Sequence, residues 1–227
     1  MSRIARIVVP GAPHHVTQRG NRGEAVFLEP QDYALYRDWL AESCRKFGVA
    51  VWAYCFMPNH VHLILTPSDG AGLALALSRT HGRYAGYFNA RARQTGHLFQ
   101  GRFGSVAMDE DHLMAAARYV ALNPVRARLV ERAQDWPHSS VRAHLAGRDD
   151  ALVEVGPLLE RAPRFADLIA AGPDEAAFAA LRRSETIGRP LGSPAFLEAV
   201  ARRLGRAGAP AKRGRKPKAG GGERDVG

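Results

Sequence analysis

Two neighbouring runs of β-branched and aromatic residues constrain the fold of this chain more than any other feature. They cover residues 49–56 and 61–66, and only Met57, Pro58 and Asn59 separate them. Runs of this composition and length are typical of β-strands, and so short a connection favours antiparallel pairing. We therefore expect an antiparallel sheet at the centre of the fold.

The segments around this pair alternate between strand-like and helix-like patterns. Apolar residues at helical spacing predict helices, and short β-rich runs predict further strands. The predicted helices cover residues 31–47 and 73–92 and run from Asp109 towards Asn123, and the predicted strands cover residues 14–18 and 105–108. This order is typical of an α+β fold in which helices pack on one face of an antiparallel sheet.

The pattern changes after residue 145. Residues 146–204 contain short Ala- and Leu-rich helical segments, which predict a small helical C-terminal region and a candidate DNA-binding unit. We therefore expect one main domain over residues 1–145, followed by this helical region and by a disordered basic tail over residues 205–227.

Positive charge is concentrated at the C-terminus. The chain has a formal net charge of +10, and residues 201–227 hold nine Lys or Arg residues against two acidic ones. This excess favours a polyanionic partner such as nucleic acid, although a tail that only raises solubility has the same composition. Within the tail, Arg213 and Arg215 form an Arg-Gly-Arg core similar to an AT-hook, which binds DNA in a narrow minor groove.

Cysteine content and hydropathy favour a cytoplasmic protein. Cys44 and Cys55 are the only cysteines, too few for a disulfide framework, and we expect both to be reduced core residues. The N-terminus shows no signal-peptide pattern, and no stretch reaches the ~20 apolar residues of a membrane helix. We therefore expect no membrane partner.

The most specific local motif is His60-Val61-His62, at the start of the second run. Residues i and i+2 of a strand project from the same face, so both imidazoles can reach one divalent ion. Two ligands do not complete a metal site, and two solvated histidines on an exposed sheet face have the same spacing. The motif alone leaves both interpretations open.

A tyrosine on the third predicted helix can extend such a site. Tyr119 is followed one helical turn later by Asn123, whose amide oxygen can bind a hard cation. The other helical tyrosines are followed four positions later by Arg, Leu or Phe, which are not metal ligands. A tyrosine in the hydrophobic core has the same spacing, so the pattern alone does not assign a role to Tyr119.

Taken together, the motifs resemble those of the single-tyrosine HUH transposases, and most closely the REP-associated tyrosine transposases of bacteria. The resemblance covers roughly residues 10–145 and rests on the runs HHVTQRGNRGEAVF, MPNHVHLIL, TGHLFQGRF, ARYVALNPVRARLV and DWPHSS. It implies a ferredoxin-like or RRM-like sheet with the histidine pair on a central strand.

The resemblance also implies a chemistry. It makes His60 and His62 metal ligands for Mg²⁺ or Mn²⁺, Asn123 the third ligand, and Tyr119 the nucleophile. The substrate it implies is single-stranded DNA with hairpins or palindromic repeats, which is cut through a 5′-phosphotyrosine and rejoined. Candidate DNA contacts are His15, Arg19, Arg22 and Arg102.

Two other functions use the same residues. One is a DNA-binding regulator that has the fold without catalysis, and the other is a metal-dependent nuclease in which water is the nucleophile. The joint presence of His60, His62, Tyr119 and Asn123 favours the transposase, because a pure binder does not need all four. We expect the protein to act at the bacterial nucleoid, as a monomer or as a homodimer.

Overall fold

Four antiparallel strands form a single sheet in the order β2-β3-β1-β4. The computed structural model describes residues 6–205, apart from the side chains of residues 185–187. The strands are β1 (His14–Arg19), β2 (Val49–Met57), β3 (His60–Pro67) and β4 (Gly104–Ala107). The α+β fold class is confirmed, and β3, which contains the histidine pair, lies in the interior of the sheet.

Three long helices follow the predicted segments closely, and five shorter ones lie beyond residue 140. The long helices are α1 (Pro30–Lys46), α2 (Gly72–Ala92) and α3 (Glu110–Arg126). The shorter ones are α4 (Val141–Ala146), α5 (Gly156–Leu159), α6 (Phe165–Ala170), α7 (Glu175–Ile187) and α8 (Pro194–Leu204). The α3 helix begins after Asp109, whose carboxylate accepts a hydrogen bond from the backbone N–H of His112 and so caps the first turn.

The helices pack on both faces of the sheet, which corrects the prediction of one covered face. On one face, α1 and α2 pack against Val16, Leu63 and their neighbours. On the other face, α3 packs against strand residues that include Ala53 and Ile64. The reason lies in β2, whose side chains are apolar on both faces, so that each face must be covered to remove them from water.

The helical region after residue 145 packs into the same core. Phe165 of α6 and Phe178 of α7 are buried in the cluster that contains Ile64 and α3. Backbone hydrogen bonds also join it to the sheet, from the N–H of Glu154 to β2 and from the N–H of Leu191 to β4. The boundary near residue 145 stays a prediction, and the hydrophobic core is continuous across it.

Three further sequence predictions concern composition. Cys44 and Cys55 are free thiols in the core, as expected. Within the part of the chain that the structure describes, none of the helices has the length and apolar character needed to cross a bilayer. The basic tail from residue 206 onwards, with Arg213 and Arg215, lies outside the described residues.

Candidate active site

The alternation of β3 places His60 and His62 on the sheet face that α3 covers. In the register of the sheet, His62 lies between Thr17 of β1 and Cys55 of β2. The centroids of the two imidazole rings are 4.8 Å apart, and the ring planes are nearly perpendicular. His62 is only 4% exposed and His60 is partly buried, so the alternative of two solvated histidines on an open face is wrong.

A protein group engages the Nδ1 atom of each histidine. His62 Nδ1 lies 3.1 Å from Nε2 of His15, and His60 Nδ1 lies 2.5 Å from the side-chain oxygen of Asn59. A histidine that binds a metal through one ring nitrogen usually donates the N–H of the other to a neighbouring acceptor. These contacts therefore fit a site in which both histidines use Nε2, with His15 and Asn59 as the acceptors.

Burial keeps these histidines neutral. It lowers the pKa of His60 to about 4, with a smaller effect from the positive charge of Arg19. It lowers the pKa of His62 well below 6.5, and the neighbouring His60 and His15 lower it further. Neutral imidazole is the form that binds a divalent metal, so the fold presents the pair in a suitable protonation state at neutral pH.

Tyr119 projects from α3 towards the histidines. Its ring centroid is 5.2 Å from that of His62 and 5.8 Å from that of His15, and both contacts are edge-to-face. The side chain is 6% exposed. The structure thus brings Tyr119 and the histidine pair together within one chain, and the catalytic role of Tyr119 stays a prediction.

A cavity of about 200 Å³ opens beside Tyr119 and the histidines. Its lining residues, all within the described part of the chain, are Thr17, Gln18, Arg19, His60, His62, Tyr119 and Arg182. None of these is a carboxylate and two are arginines, so the cavity favours an anion. A phosphodiester has the charge and the hydrogen-bond acceptors that such a lining would bind.

Asn123, the predicted third ligand, lies one turn beyond Tyr119 and is buried. Within residues 6–205 its amide nitrogen has no hydrogen-bond partner, and it is not among the residues that line the cavity. The same part of the chain contains no group of three or more His, Cys, Asp or Glu side chains suited to a metal. A metal on His60 and His62 therefore needs oxygen ligands such as an amide, and Asn123 stays a prediction.

The predicted DNA contacts have different surroundings. Arg19 is exposed and lines the cavity, and Arg22 is exposed just beyond β1. Arg102 is exposed and lines a second cavity of about 560 Å³. His15 is fully buried because β1 is an interior strand covered on both faces, which counts against its predicted contact with DNA.

Sequence reasoning missed the parts of the site that come from distant segments. Phe178 of α7 lies edge-to-face on Tyr119, with the ring centroids 5.0 Å apart, and Arg182 of the same helix lines the cavity. Neither residue belongs to a recognisable motif. The contact of His15 with His62 follows from the pairing of β1 with β3. The sequence did not specify that pairing, so the contact was not predicted.

Comparison with known proteins finds similarity to transposases. The family model described as "Transposase IS200 like" matches residues 12–123. A curated relative from Haemophilus influenzae, assigned as a REP-associated tyrosine transposase, is 24% identical over 116 residues, which cover 46% of this chain and 66% of the relative.

Two solved structures are also similar. A REP-associated tyrosine transposase bound to a REP hairpin aligns with a TM-score of 0.53 and 22% identity, over 68% of this chain and 93% of that one. This similarity shows a shared fold. A protein of Deinococcus radiodurans R1, assigned as a transposase, aligns over 60% of this chain and 98% of that one. Its TM-score of 0.36 and identity of 17% are too low to show a shared fold. The family predicted from the motifs is confirmed for residues 12–123, which match the family model of the IS200-like transposases.

Proposed function

We propose that this protein cuts and rejoins single-stranded DNA through a covalent bond between Tyr119 and a 5′-phosphate. One observation carries the proposal: Tyr119 lies beside two neutral histidines, one buried and one partly buried, in a cavity that has two arginines and no carboxylate. A nucleophile, a metal-binding pair and an anion-binding wall are the parts that phosphoryl transfer requires.

The proposed step conserves atoms and charge. The phenolic oxygen of Tyr119 attacks phosphorus, the bond from phosphorus to the 3′ oxygen breaks, the phenolic proton is released, and the departing oxygen takes up a proton. The phosphotyrosine keeps the phosphodiester energy, so a later 3′-hydroxyl can reverse the reaction and reseal a strand without ATP.

His60 and His62 would hold Mg²⁺ or Mn²⁺, and Asn123 is the proposed third ligand. When bound, the cation would offset negative charge that develops on the phosphate oxygens. His15 would act as a positioning residue: its Nε2 lies 3.1 Å from Nδ1 of His62, so in the required tautomer it would accept the Nδ1 proton and leave Nε2 of His62 for the metal. Imidazole suits Mn²⁺ better than Mg²⁺, so we expect higher activity with Mn²⁺.

We propose hairpins of repeated palindromic elements as the substrate, because a relative with this fold is bound to a REP hairpin. Arg19, Arg22 and Arg102 are the proposed contacts to its backbone, as exposed cations near the two cavities. Tyr119 and both histidines come from the same chain, so we expect cleavage without a residue from a second copy, whether or not a homodimer forms.

The test is formation of a covalent adduct. The full chain is incubated with labelled single-stranded hairpin oligonucleotides from the repeats that flank its gene, with Mg²⁺ or Mn²⁺, and the products are separated on a denaturing gel. We expect a slow-migrating protein–DNA band that disappears in Tyr119→Phe. Tyr87→Phe is the matched control, since its hydroxyl hydrogen-bonds to Asp32 away from the site, and it should still form the band.

Two results would contradict the proposal. Cleavage without an adduct, equally strong in Tyr119→Phe, would identify a hydrolytic nuclease. Binding of the hairpin with neither cleavage nor adduct would identify a DNA-binding regulator.

A further inference from the structure

The α7 helix covers the proposed nucleophile, although it lies beyond the family match, which ends at residue 123. Phe178 is fully buried, and its ring meets that of Tyr119 edge-to-face. Leu181, nearly one turn further along α7, is also fully buried in the same core cluster. These two side chains fix one face of α7 against the helix that carries Tyr119.

A cation strengthens this contact. The guanidinium of Arg126, at the end of α3, lies 5.4 Å from the ring centroid of Tyr119 and 5.0 Å from that of Phe178. Arg126 also forms an ion pair with Glu175 in the first turn of α7, at 3.3 Å. The position of α7 relative to Tyr119 is therefore set by aromatic packing and by charge together.

Arg182 follows Leu181 and reaches the cavity beside the nucleophile. It lines this cavity together with Tyr119 and His62, and its side chain is 46% exposed. Its ion pair with Glu175 is long, at 3.8 Å, and the Glu175 side chain is 63% exposed. An exposed pair of this kind contributes little stability.

We propose that Arg182 binds a phosphate of the DNA strand next to Tyr119. The proposal rests on the function proposed above, and it assigns a substrate contact to a helix outside the family match. Arg19 on β1 and Arg182 on α7 both line the cavity, so a phosphate there meets cations from two elements. The planar fork of a guanidinium can hold two phosphate oxygens at once, which fixes the orientation of phosphorus as well as its charge.

The test compares three variants of the full chain in single-turnover adduct formation with the hairpin oligonucleotide and Mn²⁺. Arg182→Gln removes the charge and the fork, and Arg182→Lys keeps the charge alone. Arg183→Gln is the matched control, because Arg183 is the next residue of α7, is exposed, and is not among the described residues that line the cavity.

We expect Arg182→Gln to slow adduct formation by about 100-fold, the lower end of the ~100- to 1,000-fold loss for one preorganised oxyanion donor, because the Arg182 side chain is 46% exposed. Arg182→Lys should lie between this variant and the unmodified chain, and Arg183→Gln should stay within about twofold. In a Tyr119→Phe background, Arg182→Gln should also reduce the slope of log affinity against log salt by about 0.7, the value for one phosphate contact on a single strand.

The outcomes separate this inference from the proposed function. If the unmodified chain forms no adduct, the proposed function is wrong. If it forms the adduct and Arg182→Gln is equally fast, or if Arg183→Gln is slowed as much, the phosphate contact of Arg182 is wrong. Thermal unfolding of each variant checks that α7 still packs. If Arg182→Gln does not fold, Arg182→Lys decides: a folded Arg182→Lys that forms the adduct as fast as the unmodified chain would refute the bidentate contact.

Discussion

Replacing His15 with phenylalanine would isolate the contact between His15 and His62. The two rings are stacked, with centroids 5.3 Å apart and planes 8° from parallel, and the hydrogen bond from ring to ring is 3.1 Å long. Phenylalanine keeps an aromatic ring in the stack but offers no acceptor. His15→Phe therefore removes the group that holds the proton on Nδ1 of His62, and it leaves the proposed ligands unchanged.

The magnitude follows from the position of the hydrogen bond. His15 and His62 are both buried, so His15→Phe would leave His62 Nδ1 buried without its partner. An unsatisfied buried donor costs about 1–3 kcal/mol of folding stability. Loss of a partner that orients a metal-binding histidine typically lowers metal affinity by about 10- to 100-fold.

The assay is calorimetric titration of the full chain with Mn²⁺, together with the Mn²⁺ concentration that gives half-maximal adduct formation. His14→Phe is the matched control. His14 is the preceding residue, equally buried on the opposite face of β1, and its ring nitrogens contact the backbone of Val9 and Ala12. We expect His14→Phe to lose stability but to keep its affinity for Mn²⁺, and His15→Phe to lose both.

Unchanged Mn²⁺ affinity in His15→Phe would refute the positioning role, and so would an equal loss of affinity in His14→Phe. A chain that binds no Mn²⁺ before any substitution would instead refute the metal site itself. The two failures are therefore distinguishable in one set of titrations.

Three further predictions concern stability and can be measured by urea unfolding. Asp109→Ala should lower the free energy of unfolding by about 1–2 kcal/mol, because the Asp109 carboxylate accepts hydrogen bonds from the backbone N–H groups of His112 in α3 and of Ser193 before α8. Asp111→Ala, at an exposed position, should change it by no more than about 0.5 kcal/mol. Phe178→Ala should cost about 3–5 kcal/mol, since it empties a fully buried site between α7 and α3. Burial lowers the pKa of His14 to about 4, so the folded chain keeps it neutral while the unfolded chain binds a proton near pH 6.5. Stability should therefore fall as the pH drops from about 6.5 towards 4, by up to about 3 kcal/mol for this group, and His14→Phe should flatten the decline.

Local pattern was sufficient to predict the strands, the long helices and the shared face of His60 and His62. The period of two along β3 decides which side chains face the same way, and it needs no information from the rest of the chain. The same pattern could not say which face α3 would cover. The pairing of Tyr119 with the histidines was implied by the family resemblance and not by helical spacing, and the structure brings them together.

Burial and distant contacts were the parts that the sequence could not supply. His15 was predicted to contact DNA from the family resemblance and the expected polyanionic partner, yet it lies on an interior strand with both faces covered. The contact of Phe178 with Tyr119 joins segments that share no motif, and it depends on how the C-terminal helices fold back onto α3. Such packing depends on the whole chain, so no local window predicts it.

The helices that pack on the second face of the sheet contribute both to stability and to the proposed chemistry. The α3 helix and the C-terminal helices bury the apolar side chains of β2, and the same layer excludes water from His62 and Tyr119. Because that exclusion lowers the pKa of the histidines, the packing that stabilises the fold also keeps them in the form that binds a metal. The same helices leave Tyr119 only 6% exposed, so in the proposed reaction we expect the DNA strand to reach it through the cavity that Arg19 and Arg182 line. A helix beyond the family match therefore contributes to the candidate site in two ways, by shielding the proposed nucleophile and by lining the cavity beside it with positive charge.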